Sequence, residues 1–182
     1  MRLVPIVAVA TFAIDQASKL GVVFGLNLIE RCEIDVFPPY LVFRMAWNRG
    51  VNFGLLTSNA EAMRWVLIAV ALAISVWVWV WVRREGARKW AQISAGLLIG
   101  GALGNVVDRV AYGAVADFLN MSCCGIENPY AFNVADISIF VGALGLVLFS
   151  GGDTPAKKPP AAKPPARRAP KGPASPVRRK TP

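Results

Sequence analysis

The chain has 182 residues, 55% of them hydrophobic and only 17% charged. Soluble domains run at roughly 45–50% apolar and about 25% charged, so this composition disfavours a soluble enzyme and excludes a disordered chain. There is no histidine, which excludes Ser-His-Asp and Cys-His nucleophiles and any H-E-x-x-H zinc site.

The formal net charge of +9 belongs mostly to an appendage. Nine of the 20 basic residues lie between Lys157 and Lys180, against one acid, Asp153, so the body is close to neutral. The segment 151–182 also holds nine of the 13 prolines. Such a composition buries no core, so a disordered tail is expected, drawn to anionic lipid rather than to nucleic acid. The three cysteines, Cys32, Cys123 and Cys124, have no C-x-x-C spacing and read as small apolar fillers. No metal or cofactor is expected.

Residues 1–150 contain four apolar runs, at about 3–26, 65–82, 90–107 and 132–149. Each approaches the ~20 residues that a helix needs to cross a bilayer. The expected fold is an all-α integral membrane protein with four transmembrane helices. The first run resembles a signal peptide, but Asp15 and Lys19 interrupt it and no small-residue cleavage site follows. It reads as a retained span.

Between the first and second runs, Val36-Phe37 and Tyr40 to Met45 have strand character. Asn48-Arg49-Gly50 then reads as a turn before a further extended stretch, Val51 to Gly54. A small outward-facing β-sheet is therefore expected in the first outer loop. The second run ends at Arg83-Arg84, with Trp77, Trp79 and Trp81 as interface anchors. Arg2, the basic residues Arg83, Arg84, Arg88 and Lys89, and the tail all fall on one side of a four-span model. That side, carrying both termini, is expected to be cytoplasmic.

The informative residues are the polar ones at membrane depth. Asp15 and Lys19 share a helix face at i and i+4 and taken alone form a structural ion pair. Asn48 and Gly50 taken alone make a turn. Gly100-Gly101 and Gly104 allow close helix approach. Asn105, Asp108 and Arg109 follow in the same run, with Arg109 expected to hold Asp108 in an ion pair. Asp117 stands among apolar residues, which suggests partial burial. Asn133 and Asp136 share a face at the start of the fourth run, where Asp136 alone would suit a helix N-terminus. In the four-span model all of these residues converge on the outer surface. Without histidine, two close carboxylates sharing a proton are the remaining hydrolytic device.

At these residues the chain resembles lipoprotein signal peptidase (signal peptidase II). The motifs occur in order: Asp15-Gln16-Ala17-Ser18-Lys19, Asn48-Arg49-Gly50, Gly100-Gly101 through Gly104-Asn105 to Asp108-Arg109, Val115-Ala116-Asp117-Phe118, and Phe132-Asn133-Val134-Ala135-Asp136. The resemblance covers about residues 3–150 and leaves out the tail and the Cys123-Cys124 loop. It implies a monomeric aspartyl endopeptidase of the bacterial inner membrane, with its active site on the periplasmic side. Such enzymes cut prolipoproteins just before a diacylglyceryl-modified cysteine, and globomycin-type antibiotics bind the same pocket. It implies Asp117 and Asp136 as the catalytic dyad. It implies supporting or substrate-binding roles for Asp15, Lys19, Asn48, Gly50, Gly101, Gly104, Asn105, Asp108, Arg109, Asn133 and Ala135. On the residues alone, Asp108 competes with Asp117 for the second catalytic place. A non-enzymatic membrane transporter or assembly factor is the alternative, disfavoured because the acids do not form a chain across the membrane.

Overall fold

The structure is a computed structural model, and it describes residues 2–50, 60–85, 87–123, 125 and 128–149. The extended stretch expected at 51–54 and the tail expected to be disordered lie outside the described residues.

The first helix, α1, spans Leu3–Lys19 and passes into a π-helical turn over Leu20–Gly25. A short helix, α2 (Leu28–Arg31), follows between two residues of positive φ, Asn27 and Cys32. Strands β1 (Glu33–Phe37) and β2 (Leu41–Asn48) come next, then α3 (Ala60–Arg84) and α4 (Lys89–Tyr112). Strand β3 (Val115–Asn120) and helix α5 (Val134–Phe149) complete the described fold. Among the described residues, three helices are long and apolar enough to cross a membrane: Leu3–Gly25, Glu61–Arg84 and Lys89–Tyr112. Helix α5 is more apolar than these but only 16 residues long.

Two features differ from the sequence reading. Helix α4 does not stop near Val107; it runs to Tyr112, and Gly113 at φ 79° closes it with its N–H on the Arg109 carbonyl. Asp108 and Arg109 therefore sit within a helical turn rather than past its end. The sheet also extends beyond the first outer loop. It is antiparallel in the order β1-β2-β3, and β3 comes from the later segment that carries Asp117. Strand β3 is buried along nearly its whole length, so its sequence lacks the period-two alternation that marks a half-exposed strand. That is why the pattern did not declare it.

Helix α4 is the central element, packed against α1, α3 and α5. Its glycines explain how. Gly96, Gly100 and Gly104 recur every four residues and face α1, where an added Cβ would meet Val7, the Ala8 carbonyl and Asp15 respectively. Gly101 faces the Ala135 carbonyl of α5, and Gly142 of α5 faces Leu98 and Ser94 of α4. In lipid there is little hydrophobic drive between helices, so backbone approach through small residues supplies the packing. The core has two parts. One lies at the helix ends away from the sheet and includes Val4, Ala8, Val78, Val82, Ala95, Leu98 and Leu146. The other joins Val23, Leu28, Ala116 and Phe118 beneath the sheet, where Phe43 and Phe118 meet edge to face at 5.9 Å.

Gly100→Ala places its methyl 2.5 Å from the Ala8 carbonyl oxygen, an overpacking expected to cost about 1–3 kcal/mol. Gly21→Ala meets nothing within 4 Å and is expected to be neutral. Thermal unfolding in detergent, read by intrinsic tryptophan fluorescence, compares the two.

Candidate active site

The site lies where the sheet meets the ends of α1, α4 and α5. Its base is ionic. Lys19 is buried, and its Nζ stands 2.8 Å from Asp15 Oδ2 and 2.7 Å from Asp108 Oδ2. Asp15 and Lys19 are neighbours because α1 brings i and i+4 onto one face. Asp108 arrives from α4, which the glycine stripe holds close enough. Asp108 is thus paired with Lys19, not with Arg109 as its position in the sequence suggested. Adjacent residues on a helix point about 100° apart, so Arg109 turns elsewhere. Its guanidinium is attracted first by Asp136, then by Asp117, and least by Asp108, and its Nη1 donates to the Asn105 carbonyl at 3.3 Å.

The carboxylates of this ion cluster also grip the main chain. Asp15 Oδ1 accepts the Ala135 N–H at 2.9 Å, and Asp108 Oδ2 accepts the Ala116 N–H at 3.2 Å. Ala135 immediately precedes Asp136, and Ala116 immediately precedes Asp117. Each of these carboxylates therefore fixes the backbone one residue before another aspartate, Asp136 or Asp117. Gln16 adds a second tie: its Nε2 lies 3.1 Å from both Asp15 Oδ2 and Asp108 Oδ1.

Above this base stand Asp117 on β3 and Asp136 in the first turn of α5. Asn133 joins them. Its amide donates to Asp117 Oδ1 at 2.6 Å and to Asn105 Oδ1 at 3.2 Å. Its Oδ1 accepts the Asp136 N–H at 2.9 Å, while Asp136 Oδ2 accepts the Asn133 N–H at 3.2 Å. That reciprocal pair is a capping box, which starts α5 at Val134. Asn105 donates to Asp136 Oδ1 at 2.9 Å. Asn48, at the end of β2, donates to Asp117 Oδ2 at 3.0 Å and accepts the Gly50 N–H at 2.9 Å. Gly50 has φ 92°, a left-handed conformation that suits glycine.

The two acids differ in environment. Asp117 is 2% exposed, whereas Asp136 is only half-buried. Burial, reinforced by the Asp136 charge, pushes the Asp117 carboxyl up to about 6, against the pull of the Asn48 and Asn133 hydrogen bonds and of Lys19. Four acids crowd this end of the helices, and Lys19 bridges the lower pair. Asp117 and Asp136 are left facing each other's charge without an ion pair among the described residues. That arrangement suits sharing a proton.

All thirteen residues singled out in the sequence lie here. Gly104 makes room for the Asp15 carboxylate, and Gly101 lets α4 approach the Ala135 carbonyl. Sequence reasoning quoted Gln16 within a motif but gave it no role. Its signal was an amide at membrane depth between two charges. Asn120, a single polar residue closing β3, was passed over and is buried with its amide fully engaged. The reading of the cysteines as apolar fillers is corrected at two of them: Cys32 is an exposed free thiol and Cys123 is disulfide-bonded. No His/Cys/Asp/Glu group among the described residues could hold a metal ion.

A paired-carboxylate site at the ends of apolar helices defines a membrane-embedded hydrolase of aspartic type. Comparison with known proteins gives the family. The model of signal peptidase (SPase) II matches residues 7–150. The lipoprotein signal peptidase of Methylorubrum extorquens (strain PA1) is 44% identical over 145 residues, 80% of this chain and 83% of that protein. That of Rhodopseudomonas palustris (strain ATCC BAA-98 / CGA009) is 35% identical over 161 residues, 87% and 97% of the two chains. A bacterial membrane enzyme solved by the in meso method superposes with TM-score 0.67 at 26% identity, covering 82% of this chain and 92% of that one. The chain belongs to the signal peptidase II family and is an aspartic-type signal peptidase.

Lys19→Met leaves Asp15 and Asp108 buried without their cation. Removing one partner of such a group is expected to cost about 3–5 kcal/mol. A clear fall in melting temperature together with loss of cleavage checks this; an unchanged melting temperature contradicts it.

Proposed function

We propose that the chain removes signal peptides from prolipoproteins, cutting just before a diacylglyceryl-modified cysteine, with Asp117 and Asp136 as the catalytic dyad. The observation that carries this reading is the division of labour among four acids. Asp15 and Asp108 are both ion-paired with Lys19. Asp117 and Asp136 share Asn133 and make no ion pair among the described residues, although both feel the Arg109 charge. This division of labour supports Asp117 over Asp108 as the second catalytic acid.

The chemistry follows from the geometry. Asp136, the more accessible acid, takes a proton from water as the water oxygen bonds to the scissile carbonyl carbon. Asp117 carries the shared proton and gives it to the carbonyl oxygen. The tetrahedral intermediate collapses as the C–N bond breaks. The leaving nitrogen receives the proton from Asp136, and a hydroxyl of the intermediate returns one to Asp117. The donors fixed on these carboxylates, Asn48, Asn105 and Asn133, hold both acids in place throughout.

In this reading α5 is the fourth span, both termini are cytoplasmic, and the sheet and dyad face outward from the inner membrane. The positive turn at 83–89 and the position of the acids at the opposite helix ends support that orientation. The substrate's apolar helix enters between spans, and its acyl chains stay in the bilayer. Globomycin-type inhibitors occupy the same pocket, and the enzyme acts as a monomer.

The test is cleavage of a diacylglyceryl-modified prolipoprotein by purified protein. Asp117→Asn and Asp136→Asn are expected to abolish it, while Asp108→Asn retains part. Robust cleavage by Asp117→Asn would overturn the assignment. Proton linkage gives a second check. The Asp117 carboxyl rises from 3.8 to about 6, so its contribution to stability is present below the lower value and lost as pH rises through the upper one. That loss amounts to at most about 3 kcal/mol. Asp117→Asn escapes it, so at pH 7.5 the inactive variant is expected to melt no lower than wild type. The alkaline limb of kcat/KM is expected near pH 6.

A further inference from the structure

Asn120 closes β3, three residues beyond Asp117, and does not touch either dyad acid. It is 2% exposed. Its Nδ2 donates to two main-chain carbonyls of the returning chain, Asn128 at 2.7 Å and Tyr130 at 2.9 Å. Both amide hydrogens are thereby used. Its Oδ1 accepts from Ser122 Oγ at 3.5 Å, and the same hydroxyl accepts the Asn128 N–H at 3.1 Å. Asn128 Oδ1 in turn accepts the Tyr130 N–H at 3.0 Å. One side chain thus gathers the end of the connection between β3 and α5.

The held segment leads directly to the dyad. Two residues after Tyr130, Phe132 pairs with β3: Leu119 N–H donates to the Phe132 carbonyl at 2.8 Å, and Phe132 N–H donates to the Leu119 carbonyl at 2.9 Å. The next residue is Asn133, which donates to Asp117 and caps the turn carrying Asp136. A main-chain bridge of one residue pair is weak by itself, because an isolated strand pairing is marginal. The Asn120 clasp is what makes it a fixed platform.

We propose that Asn120 is a positioning residue for the peptidase reaction: by clasping residues 128–130 to β3 it fixes Asn133, and through Asn133 the alignment of Asp117 with Asp136. This rests on the dyad reading above. It explains why a buried side-chain amide is spent on a connecting segment rather than on the site. Both of its donors go to carbonyls that would otherwise be held by water or left unpaired.

The test is Asn120→Ala in full-length protein, assayed on the diacylglyceryl-modified prolipoprotein beside wild type and Asp117→Asn. A small misplacement of catalytic groups is costly, so a fall in kcat of roughly tenfold or more is expected with KM little changed. The pH profile separates positioning from general damage. Asp117 is faced by Asp136 of α5, Lys19 of α1 and Arg109 of α4, and it accepts from Asn48 and Asn133. Asn133 holds its proton affinity down, so loosening Asn133 moves the alkaline limb to higher pH. Hydrogen exchange at 131–137 is expected to rise. Ser122→Ala, which removes only the bridging hydroxyl, is expected to shift both in the same direction by less, and it decides the matter if Asn120→Ala does not fold. Wild-type kcat and an unmoved limb in a variant whose 128–132 amides exchange faster would overturn the proposal. Activity in Asp117→Asn would instead overturn the dyad reading.

Discussion

One buried lysine organises this end of the molecule. Lys19 satisfies Asp15 from its own helix and Asp108 from α4 at 2.8 and 2.7 Å. Charges at this depth are expensive unless paired and hydrogen-bonded. Here the pairing is complete enough that the spare carboxylate valence can be used. Each acid takes one backbone N–H, and each N–H belongs to the residue before Asp136 or Asp117. An ion cluster that would by itself be a helix-packing device thereby becomes a ruler between β3 and α5.

The rest of the fold serves that cluster. Asp15 reaches it only because Gly104 has no side chain in the way, and the Ala135 carbonyl sits against Gly101. These two glycines lie three residues apart on α4 and face different neighbours, so a single helix brings α1 and α5 to one place. The asparagines then complete the polar layer. Asn105 accepts from Asn133 and donates to Asp136, so that every member of the layer is both fixed and fixing. Asp117 is left with a carboxyl pushed up to about 6 by burial and by its neighbour's charge. Such strain is the usual trade of stability for activity at a catalytic site.

Much of this was legible in the sequence because lipid punishes stray polarity. Asp15, Lys19, Asn105, Asp108 and Asp136 interrupt or border apolar runs, and in a membrane chain such residues mark a site. The long apolar helices followed from run length alone. The parts that sequence did not reveal have physical reasons. Strand β3 is buried on both faces and so shows no alternation. The partner of Asp108 is not its sequence neighbour Arg109 but Lys19, 89 positions away, because only packing decides which side chains meet across helices. Gln16 and Asn120 are amides without charge, and their value lies in which carbonyls and carboxylates they reach. Nothing in their own neighbourhood in the chain records that.

The central claim is that Asp15 and Asp108 act as one frame through Lys19. A double-mutant cycle on kcat, with Asp15→Asn, Asp108→Asn and the pair together, measures it most directly. If the frame is a unit, either single substitution breaks it, and the double variant is little slower than the slower single. Independent, additive losses would show that the two carboxylates support the dyad separately and would contradict the account.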